Sequence, residues 1–359
     1  MNVKIIGAGS IGNHLANACV AQGLSVTIVD IDKDALDRTK NIIYPERYGN
    51  WDNNIILTQP DKLDKQQFDI IIIGTPPSSH LSLAIEEIRN NPKAILIEKP
   101  LCGITDDEKV KLDIFTKMID ESDTKVFVGY NHTITDCTLF TDSIIKSGSL
   151  GSPIYMDANI RENWGGILDA HPWLSGPEDS YLGSIEQGGG ACLEHSHGVN
   201  IFQHFLSLLN VGKIKSVSCK MKIIQGENLH YDEVCSILVD TDTAFHGRIV
   251  QDVVTKPTEK YVHIVGDKGF LKWYINYDSN NDAVKYSIKD KEHLKLFPKT
   301  RPDDFIKELK HINHYIQNKI GDSSPICLEK GCDTMSLISA AYESAQAHKP
   351  VNVQITEGK

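Results

Sequence analysis

Val3-Lys4-Ile5-Ile6-Gly7-Ala8-Gly9-Ser10-Ile11-Gly12 opens the chain and decides its first fold. An apolar run over residues 3–6 breaks at a G-x-G-x-x-G. Residues 11–22 then carry apolar side chains at helical spacing, and Gly23 stops them. A second apolar strand follows at 25–29, which completes the start of a βαβ unit suited to a dinucleotide. Each glycine has a task there. Gly7 permits the tight turn, Gly9 lets a pyrophosphate approach the backbone, and Gly12 lets helix and strand pack closely. The unpaired N–H groups of the helix start, at Ser10 and Ile11, face the phosphates. Asp30 ends the second strand 18 residues after Gly12, placed to accept from the ribose hydroxyls. Its carboxylate repels a 2′-phosphate, so NAD is favoured and NADP disfavoured. Ile31 beside it brings no arginine to that phosphate, and Lys33 is the cation nearest in sequence.

Outward from this unit, strand and helix alternate. Phe68-Asp69-Ile70-Ile71-Ile72-Ile73-Gly74 reads as a strand covered on both faces. Helix over 78–89, strand over 94–97, helix over 106–121 and strand over 125–129 follow, which predicts a doubly wound parallel α/β sheet. Past about residue 150 the strands lengthen, at 154–161, 214–224, 234–240, 244–252, 260–266, 270–276 and 283–288. Thr241-Asp242 and Asp267-Lys268-Gly269 read as hairpin turns. With helices over 302–318 and 331–348, this predicts an α+β domain on a large, mostly antiparallel sheet. The expected division is 1–127 for NAD binding and 128–359 for substrate binding and oligomerisation.

The 359 residues carry a net charge of −11, which argues against a general nucleic-acid or acidic-membrane binder. No 18-residue apolar run is present, and the glycine-rich N-terminus does not read as a signal peptide. The eight cysteines form no C-x-x-C pair, the usage of a reduced, cytoplasmic protein.

Four further stretches carry chemistry. Gly74-Thr75-Pro76-Pro77-Ser78-Ser79-His80 leaves the carboxyl end of a strand, where such sheets bind ligands. That points Thr75, Pro76 and His80 at the cofactor. Ile97-Glu98-Lys99-Pro100-Leu101 ends the next strand. Lys99 there can exchange a proton with a substrate hydroxyl or hold it as a cation, and a cis Pro100 would aim it. The third is the run Gly188-Gly189-Gly190-Ala191-Cys192-Leu193-Glu194-His195-Ser196-His197. It leads into an apolar helix, with Glu194 and His197 expected on one face. His195 and His197 lie two apart and do not make a helical metal pair, so no metal is expected. Lastly, residues 159–187 form a long segment with Arg161, Trp164, Trp173 and Tyr181, a composition that suits a sugar.

Taken together, the G-x-G-x-x-G, the Glu-Lys-Pro at 98–100 and the Gly-Gly-Gly helix with an acid and a histidine resemble one family. It is the glucose–fructose oxidoreductase/inositol dehydrogenase/MocA (Gfo/Idh/MocA) family of NAD(P)-dependent oxidoreductases. The resemblance runs over essentially the whole chain. It implies hydride transfer between nicotinamide and a carbinol carbon of a sugar, sugar derivative or polyol, with Lys99 and His197 catalytic. It places Asn131 near the nicotinamide. Read from the residues themselves, Glu98 and Lys99 are expected at the cofactor, and Lys99, Arg161, Trp164, Trp173, Glu194, His195 and His197 at the substrate. The resemblance also implies a homodimer or homotetramer. The family's usual Gly-Gly-Gly-x-x-x-Asp-x-x-x-His has acid and histidine four apart; here Glu194 replaces Asp, and four residues on is Gly198. Either His195 or His197 then faces the nicotinamide. An NAD-retaining glycosidase of the same family and a non-catalytic dinucleotide sensor are the alternative functions.

Overall fold

The computed structural model describes residues 1–169, 174–243, 245–318 and 324–354. The chain divides into two compact units. One is Met1–Asn131 with Thr300–Leu328, the other His132–Lys299 with Glu329–Lys359.

The first unit is built on six parallel strands. They are β1 (Asn2–Ile6), β2 (Ser25–Val29), β3 (Ile55–Thr58), β4 (Ile70–Ile73), β5 (Ala94–Ile97) and β6 (Lys125–Val128). Their order is β3-β2-β1-β4-β5-β6, the doubly wound arrangement expected. The four isoleucines of β4 are at most 1 % exposed, which is why the strand is an unbroken apolar run. The order reverses between β1 and β4. Gly7 leaves the carboxyl end of β1 and Gly74 that of β4, so both turns sit at the switch point. Helix Arg301–Asn318 belongs to this unit and packs on helix Ser10–Val20.

The second unit is a nine-stranded sheet. Its strands are β7 (Pro153–Arg161), β8 (Ile214–Gln225), β9 (His230–Thr241), β10 (His246–Asp252), β11 (Glu259–Gly266), β12 (Gly269–Tyr274), β13 (Asn281–Ile288), β14 (Lys291–Pro298) and β15 (Val351–Asn352). They run in the order β14-β13-β12-β11-β7-β10-β9-β8-β15. Only the β7–β10 pairing is parallel, so the sheet is mostly antiparallel, as expected. Helix His197–Leu209 covers one face. It lies so close that a Cβ at Gly247 would meet the Phe202 ring at 2.7 Å. On the other face one rank runs Ser218, Leu238, Arg248, Asp157, His263, Lys272, Lys285, Leu294 across eight strands.

The sequence pattern missed β3, β14 and helix Asp136–Lys146. β14 is an edge strand with exposed Lys and Glu, and so lacks the apolar alternation that marks an inner strand. Among the described residues no helix is long and apolar enough to cross a membrane.

Candidate active site

The glycine-rich turn is formed as its sequence requires. Gly7 has φ +109°, and a Cβ there would meet Gly74 O at 2.7 Å. A Cβ on Gly12 would lie 2.1 Å from Gly7 O. Gly9 faces open space, with nothing within 4 Å of its Cβ position. The turn is therefore tight wherever it touches protein and open where a diphosphate would approach. Asp30 is fixed beside it. Its Oδ2 accepts from the Ala8 N–H (2.7 Å) and its Oδ1 from the Asp32 N–H (2.8 Å). Each oxygen keeps a second lone pair for a ribose hydroxyl. Ile31 is 83 % exposed, a bare apolar surface next to that carboxylate. The cations nearby are paired: Lys33 with Asp37 (3.8 Å) and Arg38 with Asp32 (3.6 Å).

The turn at 74–80 and the Glu-Lys-Pro loop are tied together by His80. Its Nε2 lies 2.8 Å from Thr75 O and its Nδ1 3.0 Å from Pro100 O. Burial pulls its pKa down to about 4 against the pull of these carbonyls, and the neutral ring donates to one of the two at a time. His80 was expected at the cofactor. It is wholly buried, and its ring lies between the two loops. Thr75 Oγ1 bonds Ser79 Oγ (2.6 Å), which stiffens the first loop. The Lys99–Pro100 bond is cis. Lys99 is half-buried, while Glu98 and Asn131 are buried at the ends of β5 and β6. Glu308, from the returning helix, is fully buried with Glu98 and Asp304 as neighbours, and burial drives its carboxyl well above the ordinary range.

The second unit carries the other expected residues. Helix Ala191–Glu194 ends at His195, and helix His197–Leu209 begins after Ser196. The single helical face expected for Glu194 and His197 does not exist, because the break separates them. Glu194 is buried and accepts from Tyr181 Oη (3.0 Å). The carbonyl of His195 accepts from Gln251 Nε2. His197 stacks on His132, with ring centroids 4.0 Å apart and planes 20° from parallel. His132 went unnoticed in the sequence, since nothing local pairs residues 65 positions apart. Its carbonyl is held by Thr138 Oγ1 (2.6 Å), which in turn accepts from Trp273 Nε1 (2.9 Å). Arg161 lies 3.8 Å from Asp252 and 3.9 Å from Glu259. Trp164, expected as a wall for sugar, is buried with its ring 4.9 Å from that of Tyr231. Trp173 lies outside the described residues. Among the described residues no group of three or more His, Cys, Asp or Glu is placed to hold a metal ion.

Residues 1–130 match the model of an oxidoreductase family with an NAD-binding Rossmann fold. That model is the one for the nucleotide-binding part of Gfo/Idh/MocA oxidoreductases. No curated protein matches the chain in sequence. Solved structures match it along its whole length. Levoglucosan dehydrogenase in complex with NADH is 15 % identical, covers 99 % of each chain and gives a TM-score of 0.79. An oxidoreductase from Agrobacterium radiobacter, in complex with NAD+, L-tartaric acid and magnesium, is 18 % identical over 98 % of each chain, with a TM-score of 0.74. The WlbA dehydrogenase from Bordetella pertussis, in complex with NADH and UDP-GlcNAcA, is 19 % identical over 98 % of each, with a TM-score of 0.70. At these identities the likeness is one of fold.

Proposed function

We propose that this Gfo/Idh/MocA-domain protein is an NAD-dependent dehydrogenase acting on a CH–OH group of a sugar, sugar derivative or polyol. The observation that carries the reading is the glycine turn open at Gly9, with Asp30 held on the Ala8 N–H beside it. A carboxylate so fixed, with Lys33 and Arg38 already paired to acids, favours a ribose diol over a 2′-phosphate and hence NAD over NADP. Levoglucosan, L-sorbose and a nucleotide sugar acid in the structural neighbours' complexes support a sugar-like substrate.

Bound NAD+ supplies the hydride acceptor. In this reading the Lys99 ammonium holds the reacting hydroxyl oxygen and stabilises its developing negative charge. His197 takes the hydroxyl proton as the carbon loses hydride, so the alcohol leaves as a carbonyl. Glu194 and Arg161 bind further hydroxyls. The cysteines, mostly buried and scattered without a regular framework, suit a reducing cytoplasm. The outer sheet face exposes Leu238, Leu294 and Leu296 at about half their surface, an apolar share that suits a second copy of the chain.

The test is a panel of sugars, polyols and nucleotide sugars followed at the reduced-nicotinamide absorbance, with NAD and NADP in parallel. Turnover with NAD is expected, and Asp30→Ala should weaken NAD far more than NADP. Tight NAD binding without turnover on any member would favour the sensor reading. Light scattering should return a particle larger than the 40.0 kDa chain; a monomer at micromolar concentration would remove the oligomer.

A further inference from the structure

The glycine turn has a cationic neighbour that its own motif does not supply. Arg47, on the short helix Tyr44–Tyr48, reaches the first residue of helix Ser10–Val20. Its Nη1 donates to Ser10 O (2.9 Å) and its Nη2 to Ser10 Oγ (2.8 Å). The guanidinium is therefore fixed against the helix start that meets the open Gly9. A second arginine stands on the same flank. Arg301 lies 5.3 Å above the Phe305 ring, and Phe305 stacks on His14 at 4.9 Å with planes 6° apart. His14 is four residues after Ser10 and so on the same face of that helix.

No Asp or Glu among the described residues makes an ion pair with either arginine. The exposed Glu46, beside Arg47 in sequence, is the one carboxylate that adds to its charged state. The two guanidinia are close enough to act on each other and on the ring between them. Burial first, then Arg47 and Arg301, hold the His14 pKa down to about 3, so His14 adds no third charge. Two like charges converge on one helix face, and the acids adjoining them in sequence, Glu46, Asp303 and Asp304, make no ion pair with them. Half-burying Arg47 in such a place is unfavourable unless an anion completes it. Five donors in a planar fork give guanidinium the geometry to share one edge with Ser10 and turn its remaining N–H groups to a phosphate.

We infer that Arg47 is a ligand of the dinucleotide's diphosphate, positioned by Ser10, with Arg301 as a second cation of the same anion site. This rests on the NAD reading above and adds to the glycine turn a charge from outside the motif. A merely structural role is the rival: Arg47 would then only pin its helix to Ser10. Arg47→Gln removes the charge and, being two bonds shorter, the grip on Ser10 as well, so adenosine, which has no diphosphate, separates the two: a pin alone would weaken it together with NAD.

The experiment is calorimetric titration of the purified full chain with NAD, ADP-ribose and adenosine at two salt concentrations. Arg47→Gln should raise the Kd of NAD and of ADP-ribose about 10–100-fold, the size of a lost charge-assisted hydrogen bond. Adenosine affinity should stay within about twofold, and the salt dependence of NAD binding should flatten. Equal weakening of all three ligands, or of none, overturns the inference and leaves the NAD reading standing. Should Arg47→Gln fail to fold, the wild-type protein decides: inorganic pyrophosphate should compete with NAD but not with adenosine, and no competition overturns the inference. Wild-type protein that binds neither NAD nor ADP-ribose overturns both the NAD reading and this one.

Discussion

Two glycine runs open helices in this chain, one at residues 7–12 and one at residues 188–190, and they do different things with the same residue. In the first, Gly7 and Gly12 touch backbone, and Gly9 between them touches nothing. In the second, a Cβ on Gly189 would sit 2.1 Å from Tyr181 O, and one on Gly190 2.1 Å from Asp232 Oδ1. The second run is filled by its own protein. Asp232 takes the place a ligand would have, accepting from the Cys192 N–H (2.8 Å) and from Tyr342 Oη (2.5 Å). A glycine run is thus a binding loop only where one glycine faces open space; elsewhere it lets chain approach chain.

The hardest blow to both runs is a methyl group where protein already stands. Gly12→Ala should collide with the Gly7 carbonyl, and Gly190→Ala with Asp232 at a backbone φ of +91° that alanine resists. Strain and overlap of this kind cost about 1–3 kcal/mol each, so a loss of about 2–6 kcal/mol is expected at Gly190, where both apply, and about 1–3 kcal/mol at Gly12, where only overlap does. Chemical denaturation of the two variants reads this directly. If either variant unfolds like the wild type, the tight half of the comparison is wrong.

Gly9→Ala should behave differently. Its Cβ meets no protein atom, and its backbone is not in the left-handed region, so stability should change by less than about 1 kcal/mol. NAD affinity should nevertheless fall about 10-fold or more, because the methyl occupies the approach of the diphosphate. Unchanged stability with unchanged NAD binding would mean that the open space is not the cofactor's.

The first run was legible because its requirements are local: strand, glycines, helix and Asp30 all fall within 28 residues. The second was legible as a motif and misread as geometry. At the break, the His195 carbonyl accepts from the Gly198 N–H and also from Gln251, 56 residues away. His132 under His197, Arg47 on Ser10 and His80 between two loops are likewise contacts made across the fold, between residues whose own neighbourhoods look ordinary. Helix Arg301–Asn318 could be read as a helix, but its return to the nucleotide unit is written only in its packing on Ser10–Val20.

The smallest expected effect separates the two runs by pH. Asp232 is almost wholly buried, and burial raises its pKa from 3.8 to about 7 despite the Tyr342 and Cys192 donors. A folded-state pKa above the unfolded one means that the folded state holds the proton longer. Its stabilisation is complete below about pH 3.8 and is lost as pH rises through about 7. At the first run His14 has the opposite sign: its pKa is depressed to about 3, so its contribution is present above 6.5 and lost as pH falls toward 3. A single proton changes stability by at most about 1.4 kcal/mol per pH unit, which other groups can hide. Asp232→Asn isolates it. The amide does not titrate, and its one carbonyl oxygen satisfies only one of the two donors, a fixed cost that is the same at every pH. The wild-type midpoint of thermal unfolding minus that of Asp232→Asn should therefore fall steadily from pH 4.5 to 7 and level off above it. A difference that is flat across this window would mean that Asp232 is ionised throughout, and that the start of helix Ala191–Glu194 is held by a charge.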